Sequence, residues 1–113
     1  MIEKSLQAWC DGNGFKDTTV NMLTLSDTIG ISKMELTQYF SQCMDTTFRI
    51  WLADIRFTAA KAMMRRYPNY SNDIISAECG FSSHTYLYRV FKEKTGKTPT
   101  DWRKDMAASD KMS

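Results

Sequence analysis

Between residues 82 and 92 the sequence SSHTYLYRVFK interleaves polar and apolar side chains. Wound at helical spacing, Leu87, Val90 and Phe91 fall on one side, leaving Ser83, His84, Thr85, Tyr88, Arg89 and Lys92 on the other. The outer set is a set of donors. A guanidinium such as that of Arg89 can fork onto guanine O6 and N7 or onto a phosphate, and the Lys92 ammonium suits backbone phosphate. A second stretch, KMELTQYFSQ over 33–42, has the same division. Leu36, Tyr39 and Phe40 turn inward, leaving Lys33, Met34, Thr37, Gln38 and Ser41 outside. The Gln38 carboxamide matches adenine N6 and N7, while Met34 and Thr37 offer apolar atoms to a thymine methyl. Ser82, and the backbone amides at helix starts such as that near Thr98, can hold phosphate. Blander roles compete at three positions: an Arg89–Glu93 bridge one helical turn apart, simple exposure or capping for His84, and half-buried packing for Met34.

Other chemistries have little foothold. The chain shows no glycine-rich phosphate loop, no paired carboxylates on facing elements, and no Ser/His or Cys/His arrangement. His84 is the sole histidine, and Cys10, Cys43 and Cys79 are widely spaced with no CxxC. Neither catalysis nor a cofactor nor a bound metal is expected. No run approaches the roughly 20 apolar residues of a membrane span, and no signal peptide opens the chain, so a cytoplasmic location is expected, whatever anchors a longer parent protein. The net charge of +2 hides an asymmetry: residues 1–46 carry three lysines against six acids, and residues 47–113 carry twelve basic residues against seven acids. A polyanion is drawn first to the C-terminal part.

The elements that must position these side chains read as helices. Ile2, Leu6, Trp9 and Cys10 sit at helical spacing until Gly12-Asn13-Gly14, and 12–20 reads as a loop. Asn21 suits an N-cap for a helix over 22–29. Thr46 or Thr47 can cap a long helix reaching about Arg66, with Phe48, Leu52, Ile55, Ala59 and Ala62 as its apolar stripe, and Pro68 ends it. Ser71 or Asn72 starts the next helix, and one over 83–94 stops at Gly96. Thr98-Pro99-Thr100-Asp101 opens a last helix, with a polar tail from 108.

The sequence also repeats itself weakly. At a shift of 50, Leu25, Ser26, Ile29, Gly30, Ile31 and Ser32 fall on Ile75, Ser76, Cys79, Gly80, Phe81 and Ser82; after one inserted residue, Leu36 and Phe40 fall on Leu87 and Phe91. Each copy is a short helix, a Gly-apolar-Ser turn and a longer helix, the construction of a helix-turn-helix. Glycine permits a left-handed turn, the small serine lets the helices approach, the apolar residue plugs the gap, and Ser32 or Ser82 can cap the second helix. A solenoid of helical hairpins would need at least three such units. The reading is an all-α fold: two homeodomain-like helix-turn-helix subdomains, 1–46 and 68–107, joined by a linker helix over 47–67, with 108–113 as a tail.

The string GFSSHTYLYRVFKEKTGKTPTDWR, residues 80–103, resembles the signature of the AraC/XylS family of bacterial transcription regulators in its GFS turn, RVFK run, TG step and TPxxWR ending. LSDTIGISKMELTQYF, residues 25–40, is similar to the family's first unit, so the likeness covers about 20–104. Ser26 and Ser76 stand where the family usually has alanine, and Leu87 where an aromatic is common. The resemblance implies seven helices with the fourth as linker, double-stranded DNA as partner, RNA polymerase as a further contact, and a sensing or dimerisation domain elsewhere in the parent protein. A helix of about 20 residues spans roughly 30 Å, against about 34 Å between successive major-groove faces. Both recognition helices are therefore expected in adjacent major grooves. The alternative is a helical protein-interaction module that does not bind DNA.

Overall fold

The computed structural model describes residues 1–112, with side chains through Ser109. Its regular elements are α1 (Ile2–Asp11), a 3₁₀ turn (Gly14–Lys16), α2 (Met22–Ile29), α3 (Lys33–Gln38) running into a π-helical turn (Tyr39–Cys43), α4 (Phe48–Arg66), α5 (Asn72–Glu78), α6 (His84–Thr95) and α7 (Pro99–Met112). The described residues contain no strand. The chain divides into two compact units, Met1–Ile55 and Arg56–Ser113.

Hydrophobic period and caps together account for these elements. Asn21 and Thr24 form a reciprocal capping box at the start of α2, each side chain accepting from the other's backbone N–H. Thr47 Oγ1 accepts from the Ile50 amide at 3.2 Å, Ser71 Oγ from Ile74 at 3.2 Å, and Thr98 Oγ1 from Asp101 at 3.0 Å. Each satisfies an amide that the first turn of a helix would otherwise leave without a partner.

The first unit closes on Leu6, Leu25, Leu36 and Phe40, with Ile2, Trp9, Tyr39, Phe48 and Trp51 packed around them. Trp9 stacks on Trp51 with centroids 5.9 Å apart and planes 25° from parallel, and Trp51 also meets Phe40 at 5.2 Å. The turn after α1 is tighter than a loop. Asn13, with φ 66°, takes the left-handed position, and Phe15 is buried. A Cβ on Gly14 would lie 2.2 Å from the Trp9 indole nitrogen, so any larger residue there displaces the Trp9 ring.

The second unit is built on Phe57, Ala60, Met64, Ile75, Cys79, Phe81, Leu87, Val90 and Phe91, all buried. Phe91 lies edge-on to Phe57 at 4.9 Å and to Trp102 at 5.6 Å. Arg65 stands over the Trp102 ring at 5.7 Å.

Two expectations need correction. The stripe over Ala59 and Ala62 is displaced: Ala62 is exposed, and the second half of α4 buries Phe57, Ala60 and Met64. The first half, with Phe48, Trp51 and Leu52, serves the first unit, so one unbroken stripe cannot describe a helix shared by two cores. The helix expected over 47–67 is α4, Phe48–Arg66, and the boundary between the units falls inside it. Finally, the tail from 108 is helical as far as Met112, in keeping with the helix-forming Ala107, Ala108, Lys111 and Met112. Ser113 lies outside the described residues.

Candidate nucleic-acid interface

In the second unit α5 ends at a turn in which Gly80 takes φ 87°. Phe81, 2% exposed, fills the angle between helices and meets Tyr86 edge-on at 5.0 Å. Ser76 is small, as close helix approach demands, and its hydroxyl also donates to the Ser83 carbonyl at 3.2 Å. The cap of α6 is Ser83 and not Ser82: Ser83 Oγ accepts from the Tyr86 amide at 3.1 Å. The residue inserted in this copy moves the cap one place along the chain and leaves Ser82 exposed in the turn.

Leu87, Val90 and Phe91 are buried, and Ser82, Ser83, His84, Thr85, Tyr88, Arg89 and Lys92 are all exposed. One turn and one helix thus present the seven residues together. His84 Nδ1 lies 3.2 Å from Asp73 Oδ1 on α5, which holds the imidazole at the start of the helix. The Arg89 guanidinium rests over the Tyr86 ring at 5.5 Å, a contact that orients its fork. Lys92 Nζ donates to the Gly96 carbonyl at 3.4 Å, helping to close the end of α6. Thr98 belongs to the next helix and is half-buried, with its hydroxyl engaged in its own cap.

The first unit repeats the design with different parts. Gly30 takes φ 72°, Ile31 is half-buried as the plug, and Ser26 Oγ donates to the Ile31 carbonyl at 2.6 Å. Ser32 caps α3, accepting from the Glu35 amide at 3.2 Å and donating to Glu35 Oε1 at 3.1 Å. Lys33, Met34, Thr37 and Gln38 are exposed, and Leu36 and Phe40 are buried. Met34 is 72% exposed, which removes packing as its role. The regular helix expected over 33–42 gives way after Gln38 to the π-helical turn, where the aromatic pair Tyr39 and Phe40 packs inward.

Charge separates the two units. Met1–Ile55 holds four basic and seven acidic residues, and Arg56–Ser113 eleven basic and six acidic, so they carry −3 and +5. None of the three cysteines is in a disulfide. Burial, and then the neighbouring Asp11, push the Cys10 thiol above its ordinary range, which slows its reaction as a thiolate. Burial, with Glu3 and Cys43 nearby, does the same to the Tyr39 hydroxyl.

The sequence pattern misses partners that shape the site. Asp73 and Tyr86 act on His84 and Arg89 from positions that carry no motif. Arg103, in the TPxxWR string, donates to Asn72 Oδ1 at 2.9 Å and to the Pro68 carbonyl at 3.1 Å, while Asn72 Nδ2 donates to Thr100 Oγ1 at 3.0 Å. That arginine ties α7 to the start of α5 inside the unit. The fixed spacing of Thr98, Pro99 and Arg103 is the one sequence signal that points to it.

Comparison with known proteins agrees with this geometry. A family model described as a helix-turn-helix domain matches residues 25–105. The HTH-type transcriptional activator RhaR of Escherichia coli (strain K12) is 34% identical over 77 residues, which is 68% of this chain and 27% of that protein. RhaR of Shigella flexneri serotype 5b (strain 8401) gives the same figures. The chain thus spans about a quarter of the length of these relatives. Among solved structures, the DNA-binding domain of the global transcriptional factor AdpA in complex with a target DNA superposes with TM-score 0.82 at 20% identity, covering 95% of this chain and 93% of that one. A protein of unknown function from Listeria innocua gives TM-score 0.78 at 28% identity, covering 92% and 95%. With the family model matching most of its length, and with two helix-turn-helix units in the described residues, this chain belongs to the helix-turn-helix domain family of the AraC type.

Proposed function

We propose that the chain binds double-stranded DNA sequence-specifically, as the DNA-binding part of a bacterial transcription regulator. The observation that carries this reading is the outer face of α6. A helix held by buried Leu87, Val90 and Phe91 presents Ser83, His84, Thr85, Tyr88, Arg89 and Lys92 together, in the more basic unit. An α-helix of this kind fits the major groove, with its N-terminal half toward the bases. Arg89 serves as the fork for guanine or phosphate, Thr85 and His84 as base-edge groups, and Lys92 and Ser82 as phosphate contacts. The α3 face, with Lys33, Met34, Thr37 and Gln38, reads a second box in the adjacent groove, and Thr98 contributes a helix-start amide toward phosphate.

Relatives that are transcriptional activators, and a similar fold solved on its target DNA, support this reading. It extends to a cytoplasmic setting, to RNA polymerase as a further contact, and to a sensing or dimerisation domain in the longer protein. No helix among the described residues is long and apolar enough to cross a membrane.

The deciding experiment is in vitro selection from random duplexes of about 30 base pairs near 0.1 M salt. Recovery of a motif with two boxes about 10 base pairs apart, the repeat of B-DNA, is the expected result, and affinity should fall steeply as salt rises. Weak, salt-insensitive binding without enrichment would overturn the proposal in favour of protein docking.

A further inference from the structure

The positive charge of the second unit is larger than its reading helix accounts for. Of eleven basic residues, only Arg89 and Lys92 belong to the outer face of α6. A second cationic group gathers where α4 ends. Arg65 stands over the Trp102 ring at 5.7 Å, and Arg66 over the Tyr67 ring at 5.6 Å. Lys104 lines a shallow groove with Asn72 and Arg103 beside the turn that follows. Arg65, Arg66 and Lys104 are exposed, and among the described residues none of the three is in an ion pair. The acids that could have neutralised them are taken elsewhere: Asp73 is held by His84 and Asp105 by Lys97.

The turn between α4 and α5 is fixed before any partner arrives. The Tyr70 amide donates to the Tyr67 carbonyl at 3.0 Å, with Pro68 at the place in the turn that suits its fixed φ. Tyr67 and Tyr70 stack with centroids 4.6 Å apart and planes 10° from parallel. Arg103 pins the turn from α7 through the Pro68 carbonyl. Tyr67 is exposed all the same. Arginine and tyrosine are the side chains that most often carry binding energy between proteins, and rings already held in place lose little freedom on binding.

This face lies behind the core of the unit. Arg65 meets Trp102, Trp102 meets Phe91 at 5.6 Å, and Phe91 is on the buried side of α6, turned away from Arg89. A straight duplex seated against α6 reaches Arg89 and not the far side of that core. We infer that the end of α4 and its turn, Arg65, Arg66, Tyr67 and Tyr70 with Lys104 beside them, form a docking surface for an acidic segment of a partner protein. Carboxylates of the segment meet the three cations, and an apolar side chain between them lies against the tyrosine pair. The inference stands apart from the DNA-binding reading, because docking is measured on the free chain and a failed DNA selection leaves it unaltered.

The probe is a labelled synthetic peptide in which glutamates flank a single phenylalanine, titrated with the whole chain and followed by fluorescence anisotropy. Saturable binding is expected, weakening as salt rises from about 0.05 to 0.2 M, and absent when glutamine replaces glutamate in the peptide. Arg66→Glu combined with Lys104→Glu, both at exposed positions, should leave the melting curve in place and weaken the acidic peptide about tenfold, since the reversed charges repel it. Tyr67→Ala should weaken it about fivefold through loss of the aromatic anchor. A chain already bound to a selected duplex should still take the peptide. Absence of binding to the acidic peptide, or equal affinity in the doubly reversed variant, would overturn the inference. Displacement of the peptide by the duplex would overturn it as well, and would assign these cations to phosphate.

Discussion

α3 and α6 are held by the same local rules and face outward with different chemistry. Each follows a glycine at positive φ, an apolar plug and a serine cap, and each is anchored by a leucine and a phenylalanine that are buried. Yet α6 runs twelve regular residues and carries Arg89 and Lys92, while α3 runs six before the π-helical turn and carries Met34 and Gln38. The inward positions are dictated by packing, which admits few substitutes at native density. The outward positions lie outside that packing and meet the unit through surface contacts such as His84 with Asp73 and Arg89 with Tyr86. A duplicated frame can thus carry two outward faces of different composition, one with Arg89 and Lys92 and one with Lys33, Met34, Thr37 and Gln38.

That comparison can be broken most severely at the anchors. Replacing Phe91 or Phe40 by alanine should each cost about 3–5 kcal/mol through the cavity left behind, measured by denaturant melts. A parent-like midpoint for either would mean the two units are not anchored alike. The next largest effect falls on binding: Arg89→Ala should weaken binding to a selected site by about 1–3 kcal/mol with the fold retained. In competition assays Gln38→Ala should alter the preferred base at one position and leave the salt slope unchanged. A steeper salt effect from Gln38 than from Arg89 would invert the assignment of roles. Smaller again are the caps. Ser32→Ala and Ser83→Ala should each lower stability by about 1 kcal/mol, while Ser82→Ala should leave the melting curve in place. A loss at 82 equal to that at 83 would show that the inserted residue had not moved the cap. Smallest in energy is an order of thiol labelling: exposed Cys43 first, then Cys10, and buried Cys79 only on unfolding. Early modification of Cys79 would contradict its burial in the second unit.

Much of this was legible because burial follows period. Leu36, Phe40, Leu87, Val90 and Phe91 could be assigned inward from spacing, and the exposed sets followed by exclusion. Caps at Asn21 and Thr98 were legible as polar residues opening a helix, while the other two were narrowed only to Thr46 or Thr47 and to Ser71 or Asn72. What escaped depends on relations that period does not encode. The move from Ser82 to Ser83 turns on where an inserted residue is absorbed. The buried set of α4 turns on two cores sharing one helix, and the turn at Cys43 on how two adjacent aromatics pack. Whether a hydroxyl or ammonium is already engaged, as at Thr37, Thr98 and Lys92, is decided by side-chain torsions that sequence alone leaves open. The duties of Asp73 and Arg103 are long-range matches that no local window holds.

The tryptophans carry a practical consequence. Trp9 and Trp51, stacked in the first unit, are close enough for their strong far-ultraviolet transitions to couple. Trp102, in the second unit, sits edge-on to Phe91 with a guanidinium above it, a different optical environment. The chain therefore carries a native chromophore in each unit, of distinguishable spectral form. Events at either unit can be followed by light without attaching a dye.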